Sequence, residues 1–181
     1  MDETEEIQPH SLAASAKQDR PEIEIREMEI DDLASVFHMG ERTFTADIPN
    51  LYRTWDEYEV THLFTTEPEF CLVAEDTDAD RLAGFAMGTT VEKARSSWKY
   101  GYLLWLAVDD HYRRYRVGRR LFRNMRGRML EQDVRILMVD TAVENQAAIT
   151  FFRSLGFEHP RRHVYLTLNL DTKRKKRGAS R

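Results

Sequence analysis

The chain has 181 residues, 41% of them hydrophobic, a formal charge of −4 from 27 basic and 31 acidic side chains, and one cysteine. A chain of this size can bury its own core as one soluble domain, and a lone Cys71 excludes an internal disulfide framework and a zinc ribbon. The longest apolar stretch, Tyr102 to Val108, is too short to cross a bilayer, and the acidic N-terminus lacks the apolar stretch of a signal peptide; the expectation is a cytoplasmic protein with no membrane partner.

Residues 1–20 are polar and acidic, without apolar periodicity, and read as a disordered lead-in. Glu22 to Arg26 alternates as a half-buried strand does. Asp31 or Asp32 can cap a helix carrying Leu33, Val36, Phe37 and Phe44, which Pro49 ends. A second helix is expected over Trp55 to Phe64, capped by Thr54. Phe70 to Ala74 and Leu82 to Thr90 read as two strands joined by a polar loop. Tyr100 to Val108 is apolar almost throughout and reads as a central strand buried on both faces. Val117, Leu121, Phe122, Met125, Met129 and Leu130 recur at helical spacing with arginines opposite. Ile136 to Val139 is a further strand, and Gln146 to Leu155 a short helix with Gly156 placed as its C-terminal cap. Val164 to Leu170 alternates and is expected to close the fold as a strand, leaving 171–181 as a basic disordered tail. Residues 22–170 then form one domain of the α/β (α+β) class, a mixed sheet flanked by helices.

The charge is unevenly spread. Residues 173–181 hold six basic side chains and no acid, and removing them leaves −10. Arg113 to Arg128 holds eight arginines and no acid. Arg123, Arg126 and Arg128 read as an ordinary solvated face. Arg113, Arg116, Gly118 and Arg119 are different, because they lie where a buried strand turns into a helix. A helix start offers unpaired N–H groups and the positive end of the dipole, so arginines and a glycine there suit a pyrophosphate. The spacing is neither a Walker loop nor G-x-G-x-x-G.

Residues 145–157 read Asn-Gln-Ala-Ala-Ile-Thr-Phe-Phe-Arg-Ser-Leu-Gly-Phe. Strand, Arg-x-x-x-x-Gly, helix, strand, then Asn-x-x-Ala-x-x-Phe-Phe-x-x-x-Gly-Phe resembles the GNAT superfamily of acyl-CoA-dependent N-acyltransferases, and its protein N-terminal branch of the ribosomal-protein-alanine type. The resemblance implies a mostly antiparallel sheet of six to seven strands with about four helices, splayed between strands 4 and 5. It implies acetyl-CoA as co-substrate, lying in that splay. Leu106, Ala107 and Val108 would pair with the pantetheine arm through their backbone, an N–H there serving as oxyanion donor. Arg113, Arg114, Arg116, Val117, Gly118 and Arg119 would hold the pyrophosphate, with Asn145 and Phe152 completing the cofactor side. Arg116 stands where the family has its first glycine, a departure that exchanges backbone freedom for charge.

Acyl transfer to an amine needs the amine neutral and benefits from a proton for the departing thiolate. The family's acid tyrosine is Phe152 here, which has no proton to give, and the strand position of its glutamate base is Tyr102. Tyr102 and Tyr165 are therefore the catalytic candidates, with His111, Glu144 and Asp140 behind them, and direct attack without a dedicated base is consistent with these absences. His159 and His163 have no accompanying ligand cluster, so no metal is expected. The expected partners are acyl-CoA and a primary amine, from a protein or peptide N-terminus, a lysine or a small molecule. A non-catalytic acyl-CoA sensor is the alternative reading. The tail allows weak contact with nucleic acid or the ribosome, and a monomer or homodimer fits equally.

Overall fold

The computed structural model describes residues 20–44, 54–92 and 98–162, with Val164, Leu166 and Leu168. The expected tail and all of the lead-in except Arg20 lie outside the described residues, as does Pro49. Described residues up to Asp140 gather into one compact unit and those from Thr141 into a second.

The first unit is a sheet of β1 (Ile23–Glu27), β2 (Cys71–Asp76), β3 (Arg81–Glu92), β4 (Lys99–Val108) and β5 (Val134–Val139), in that spatial order. The first three pairings are antiparallel and β4–β5 is parallel. Helices α1 (Leu33–Phe44) and α2 (Glu57–Thr66) and the long α3 (Val117–Glu131) pack against it. The second unit carries α4 (Gln146–Ser154). Five strands and four α-helices among the described residues match the expected class, with fewer strands than the six to seven anticipated. The closing strand expected over 164–170 falls largely outside the described residues. Val164, Leu166 and Leu168, which are described, are exposed and belong to no strand.

The two faces of the sheet have separate cores. Val36 and Met39 of α1, with Val60 and Leu63 of α2, pack on Cys71, Val73, Phe85, Met87, Trp105 and Ala107. On the other face α3 buries Val117, Leu121, Phe122, Met125 and Met129, each such side chain contributing roughly 1.5–3 kcal/mol. A Cβ on Gly88 would fall 2.9 Å from the Met129 methyl and one on Gly101 2.6 Å from its sulfur, so glycine lets α3 approach this closely. On α1, a Cβ at Gly40 would fall 2.0 Å from the Trp55 ring, whose indole N–H donates to the Phe37 carbonyl at 3.0 Å.

Two expected caps are replaced by neighbours. Helix α1 is entered through a 3-10 turn, Ile30–Asp32, and Asp32 accepts the Glu29 N–H at 2.7 Å instead of capping α1 itself. The Asp32 carboxylate also takes Arg26 at 2.6 Å, while Arg26 reaches Glu75 at 2.7 Å. Burial works to raise Asp32, but the Arg26 hydrogen bond, the Glu29 N–H and the Arg26 charge bring it below the usual carboxylate range. Helix α2 starts later than expected and is capped by Asp56, which accepts from Glu59 N–H at 2.7 Å, not by Thr54. Aspartate's oxygen is as good a cap as threonine's and stands directly before the helix. Cys71 is fully buried, and burial pushes its thiol up to about 12, so it behaves as the small hydrophobe expected.

Candidate active site

The site is organised by an irregularity in β4. Its register with β3 runs Gly88↔Leu103 and then Met87↔Trp105, so Leu104 is an extra residue, a β-bulge. Before the bulge Gly101 faces α3; after it Trp105 and Ala107 face α1 and α2. One apolar run thereby serves two cores. The strand is not buried on both faces throughout, as its composition suggested: Tyr102, Leu104, Leu106 and Val108 are only half-buried.

The parallel pairing of β4 with β5 ends at the same place. It runs from Lys99↔Val134 to Leu103↔Val139, and β4 continues to Val108. This is the splay expected between strands 4 and 5. The Asp109 N–H donates to the Ala83 carbonyl at 3.0 Å. Strand alternation then turns the N–H and C=O of Ala107 toward β3, and those of Leu106 and Val108 away from it. They face the side on which β5 accompanies β4 only as far as Leu103.

Beyond Val108 the chain turns through a 3-10 segment, Asp110–Tyr115. Asp109 caps it by accepting from the His111 N–H at 3.0 Å, and the His111 ring lies 2.8 Å from the same carboxylate oxygen. Burial works to raise Asp109, yet these His111 contacts hold it below its ordinary range. Tyr112 is the buried member of the turn, and its hydroxyl donates to Asp76 at 2.7 Å. Neither residue had been singled out; an aromatic in a polar loop was the only available signal.

Arg116 links the turn to α3 in the left-handed conformation, φ 59 and ψ 24. The backbone shape that a glycine adopts freely is thus kept by an arginine. Arg116 is exposed, and its carbonyl accepts from Arg120 N–H at 3.0 Å, starting the helix. Val117 and Gly118, the first two helical residues, are buried. Arg113, Arg114 and Arg119 are exposed around this start. Arg113 is engaged by Asp110 at 2.6 Å, an exposed pair of the kind that contributes little. The remaining arginines divide further. Arg123 and Arg126 are exposed as expected, but Arg128 is half-buried and bonded to Glu27 and to the Glu69 carbonyl, because α3 passes over that edge of the sheet. Arg120 is likewise structural, donating to the Ile23 carbonyl at 2.5 Å.

On the α1–α2 face, Tyr102 stands opposite Thr89, and both face away from α3 because Gly101 and Gly88 face toward it. Thr89 donates to Glu67 at 2.7 Å, and the Trp105 indole donates to Glu59 at 3.2 Å. Phe44, Trp55, Phe85 and Trp105 form an aromatic cluster on this face, with ring centroids 4.8 Å apart for Phe44–Trp105 and 5.0 Å for Trp55–Trp105. Glu59 and Glu67 had not been singled out, since nothing in their spacing marked which way they point. Tyr165 lies outside the described residues, and His111 is exposed.

In the second unit Asn145 caps α4, accepting from Ala148 N–H at 3.0 Å. Gly156, at φ 98, ends the helix as expected. Its N–H donates to the Arg153 carbonyl at 3.0 Å and the Phe157 N–H to the Phe152 carbonyl at 3.2 Å, a Schellman motif. The Phe152 and Phe157 rings, 5.6 Å apart, supply the apolar contact that accompanies it. Phe152 therefore has a packing role that needs no hydroxyl. Glu144 is exposed in the preceding turn, and Asp140 follows β5. Among the described residues no group of three or more His, Cys, Asp or Glu is placed to hold a metal, and no helix is long and apolar enough to cross a membrane.

A parallel β4–β5 pair that separates beside a basic turn into a helix is the arrangement that the resemblance to acyl-CoA-dependent transferases implies. The chain belongs to the acetyltransferase (GNAT) family, which matches residues 33–157. It is 26% identical over 128 residues to N-alpha-acetyltransferase 30 of Xenopus laevis, covering 71% of this chain and 45% of that protein, so it spans less than half of that relative's length. Among solved structures, the NatC complex bound to Gag peptide and CoA shares the fold at a TM-score of 0.64 and 22% identity, over 77% of this chain and 87% of that one. An aminoglycoside acetyltransferase from an uncultured soil metagenomic sample, in complex with trehalose, does so at 0.64 and 21%, over 81% and 97%. Acetyl-CoA is the co-substrate of this family, and a strand edge facing a splay beside a basic helix start is chemically suited to it.

Proposed function

We propose that this chain transfers the acetyl group of acetyl-CoA to the α-amino group of a protein or peptide by direct attack. The observation that carries the reading is the separation of β4 from β5 at Leu103, with the Leu106 and Val108 backbone turned toward the gap. Acetyl-CoA, when bound, supplies the acyl group as a thioester. Leu106 and Val108 would hold the pantetheine arm as an added strand does, and one of their N–H groups would polarise the thioester carbonyl. The Arg113–Arg119 backbone and side chains would hold the pyrophosphate. Asn145 and Phe152 join this set on their motif match alone, and residues 22–170 are taken as the catalytic domain.

The choice of acceptor rests on pKa. An α-amino group titrates near 8 and a lysine near 10.4. At neutral pH an appreciable fraction of the former is neutral, and almost none of the latter. Where Phe152 replaces the acid and Tyr102 the base, the amine that needs least help is the better substrate. The N-alpha-acetyltransferase name of the relative agrees with this. The cation form of that amine would be drawn to Glu59 and Glu67 on the α1–α2 face, with Tyr102 beside the path of attack.

The test is incubation with acetyl-CoA and a panel of free-N-terminus peptides, N-blocked lysine peptides, polyamines and an aminoglycoside, following CoA release and product mass. Acetylation confined to free N-termini is expected. CoA binding without transfer to any amine would establish the sensor reading, and absence of CoA binding would remove both.

A further inference from the structure

We infer that Tyr112 is a positioning residue for acetyl-CoA, holding the turn before α3 in the shape that meets the pyrophosphate. The inference rests on the reading of Arg113–Arg119 as the pyrophosphate seat. Every other side chain of the Asp110–Tyr115 turn is exposed, and Tyr112 alone is buried there, at 6%. Its hydroxyl donates to Asp76 Oδ2 at 2.7 Å, across 36 positions of sequence. Asp76 is the buried charged residue of the core among the described residues, at 5% exposure. It is the last residue of β2, and its second oxygen accepts from Asp78 N–H at 3.2 Å. The turn is thus fastened at its start by Asp109 to Ala83 and in its middle by Tyr112 to Asp76, and the helix that follows it is tied down by Arg120 to Ile23.

A buried phenol–carboxylate bond is a costly way to fill space, because both groups lose water. Phenylalanine over leucine would pack as well. A buried carboxylate under a seat for a polyanion also opposes anion binding by charge alone. What the bond supplies is direction: a single geometry for the turn, immediately before a residue held at φ 59. Burial, with the bond and charge of Asp76, pushes the phenol up to about 12, so it stays a donor through the neutral range. Small misplacements of binding groups cost one to two orders of magnitude.

Calorimetric titration with CoA and with pantetheine, which lacks the pyrophosphate, tests this on the full chain. The wild type is expected to bind CoA far more tightly than pantetheine. Tyr112→Phe should weaken CoA about tenfold and leave pantetheine unchanged. Asp76→Asn, which keeps an oxygen for the phenol, should retain most of the wild-type affinity. Should Tyr112→Phe fail to fold, the double variant Tyr112→Phe with Asp76→Leu repacks the site without a buried charge and should show the same selective loss. Either variant carrying Tyr112→Phe binding CoA as the wild type does, or losing CoA and pantetheine equally, would overturn the positioning role. A wild type with no preference for CoA over pantetheine would instead overturn the pyrophosphate seat beneath it.

Discussion

Leu103 is the last residue of β4 opposite β5, where it faces Val139, and Leu104 directly after it is the residue that the β3 register skips. The bulge and the splay therefore fall at one place. An extra residue bends the strand and increases its twist; β3 stays paired beyond it, while β5 accompanies β4 no further.

Backbone direction beyond this point gives a paired prediction. Proline removes an N–H. At Leu106 that N–H faces away from β3, so Leu106→Pro should fold with a modest loss of stability yet lose about 100-fold or more in turnover if the N–H is the oxyanion donor. At Ala107 it belongs to the β3 ladder, so Ala107→Pro should lower the melting temperature much more. Thermal melts beside steady-state rates separate the two, and equal losses of stability would contradict the assigned directions.

Arg116 occupies a left-handed conformation that costs a side chain about 1 kcal/mol relative to glycine. Arg116→Gly should therefore raise stability by about that amount in urea unfolding. If the guanidinium also faces phosphate, the same substitution should weaken CoA several-fold. A variant more stable and equally tight would assign the binding to the backbone alone.

Asp110 holds Arg113 at 2.6 Å on an exposed surface. Such a pair is worth little to the fold, and the carboxylate competes with phosphate for the guanidinium. Asp110→Asn should leave the melting temperature within a degree or so and tighten CoA by about two- to fivefold, more at low than at high salt. Weaker CoA binding would mean that Asp110 orients Arg113 instead of restraining it.

Glu59 accepts from the Trp105 indole on the face opposite α3. Glu59→Gln keeps an oxygen for the indole and removes the charge. If Glu59 attracts a cationic amine, the KM for the peptide should rise about tenfold while the KM for acetyl-CoA stays put, since a partly desolvated charge pair is worth about 1.5–3 kcal/mol. A matching rise in both would place Glu59 in the fold's support and not on the acceptor side.

The motifs at Arg113–Gly118 and Asn145–Phe157 were legible because they encode local backbone: a turn into a helix, a cap and a Schellman ending. The family and its fold followed from them. Tyr112, Asp76, Glu59 and Glu67 were not legible in this way. Each acquires its role from a residue far along the chain, 36 positions away for Tyr112 and Asp76 and 46 for Glu59 and Trp105. The bulge at Leu104 is equally silent, since an apolar run reads alike whether its residues face one core or two.

Tyr112 makes a last prediction about pH. Burial first, then the bond to Asp76 and its charge, raises the phenol from 10.0 to about 12. The folded state therefore holds the proton more tightly than the unfolded chain. The sign is fixed by linkage: the contribution is fully present below pH about 10 and disappears as pH rises through about 12. Tyr112→Phe lacks it at every pH. Urea unfolding should show the wild type more stable than Tyr112→Phe by about 1–3 kcal/mol through the neutral range, with the difference shrinking above pH about 10. A difference that stays constant to pH about 12 would mean that the phenol is not held protonated by Asp76, and that the buried bond contributes by shape alone.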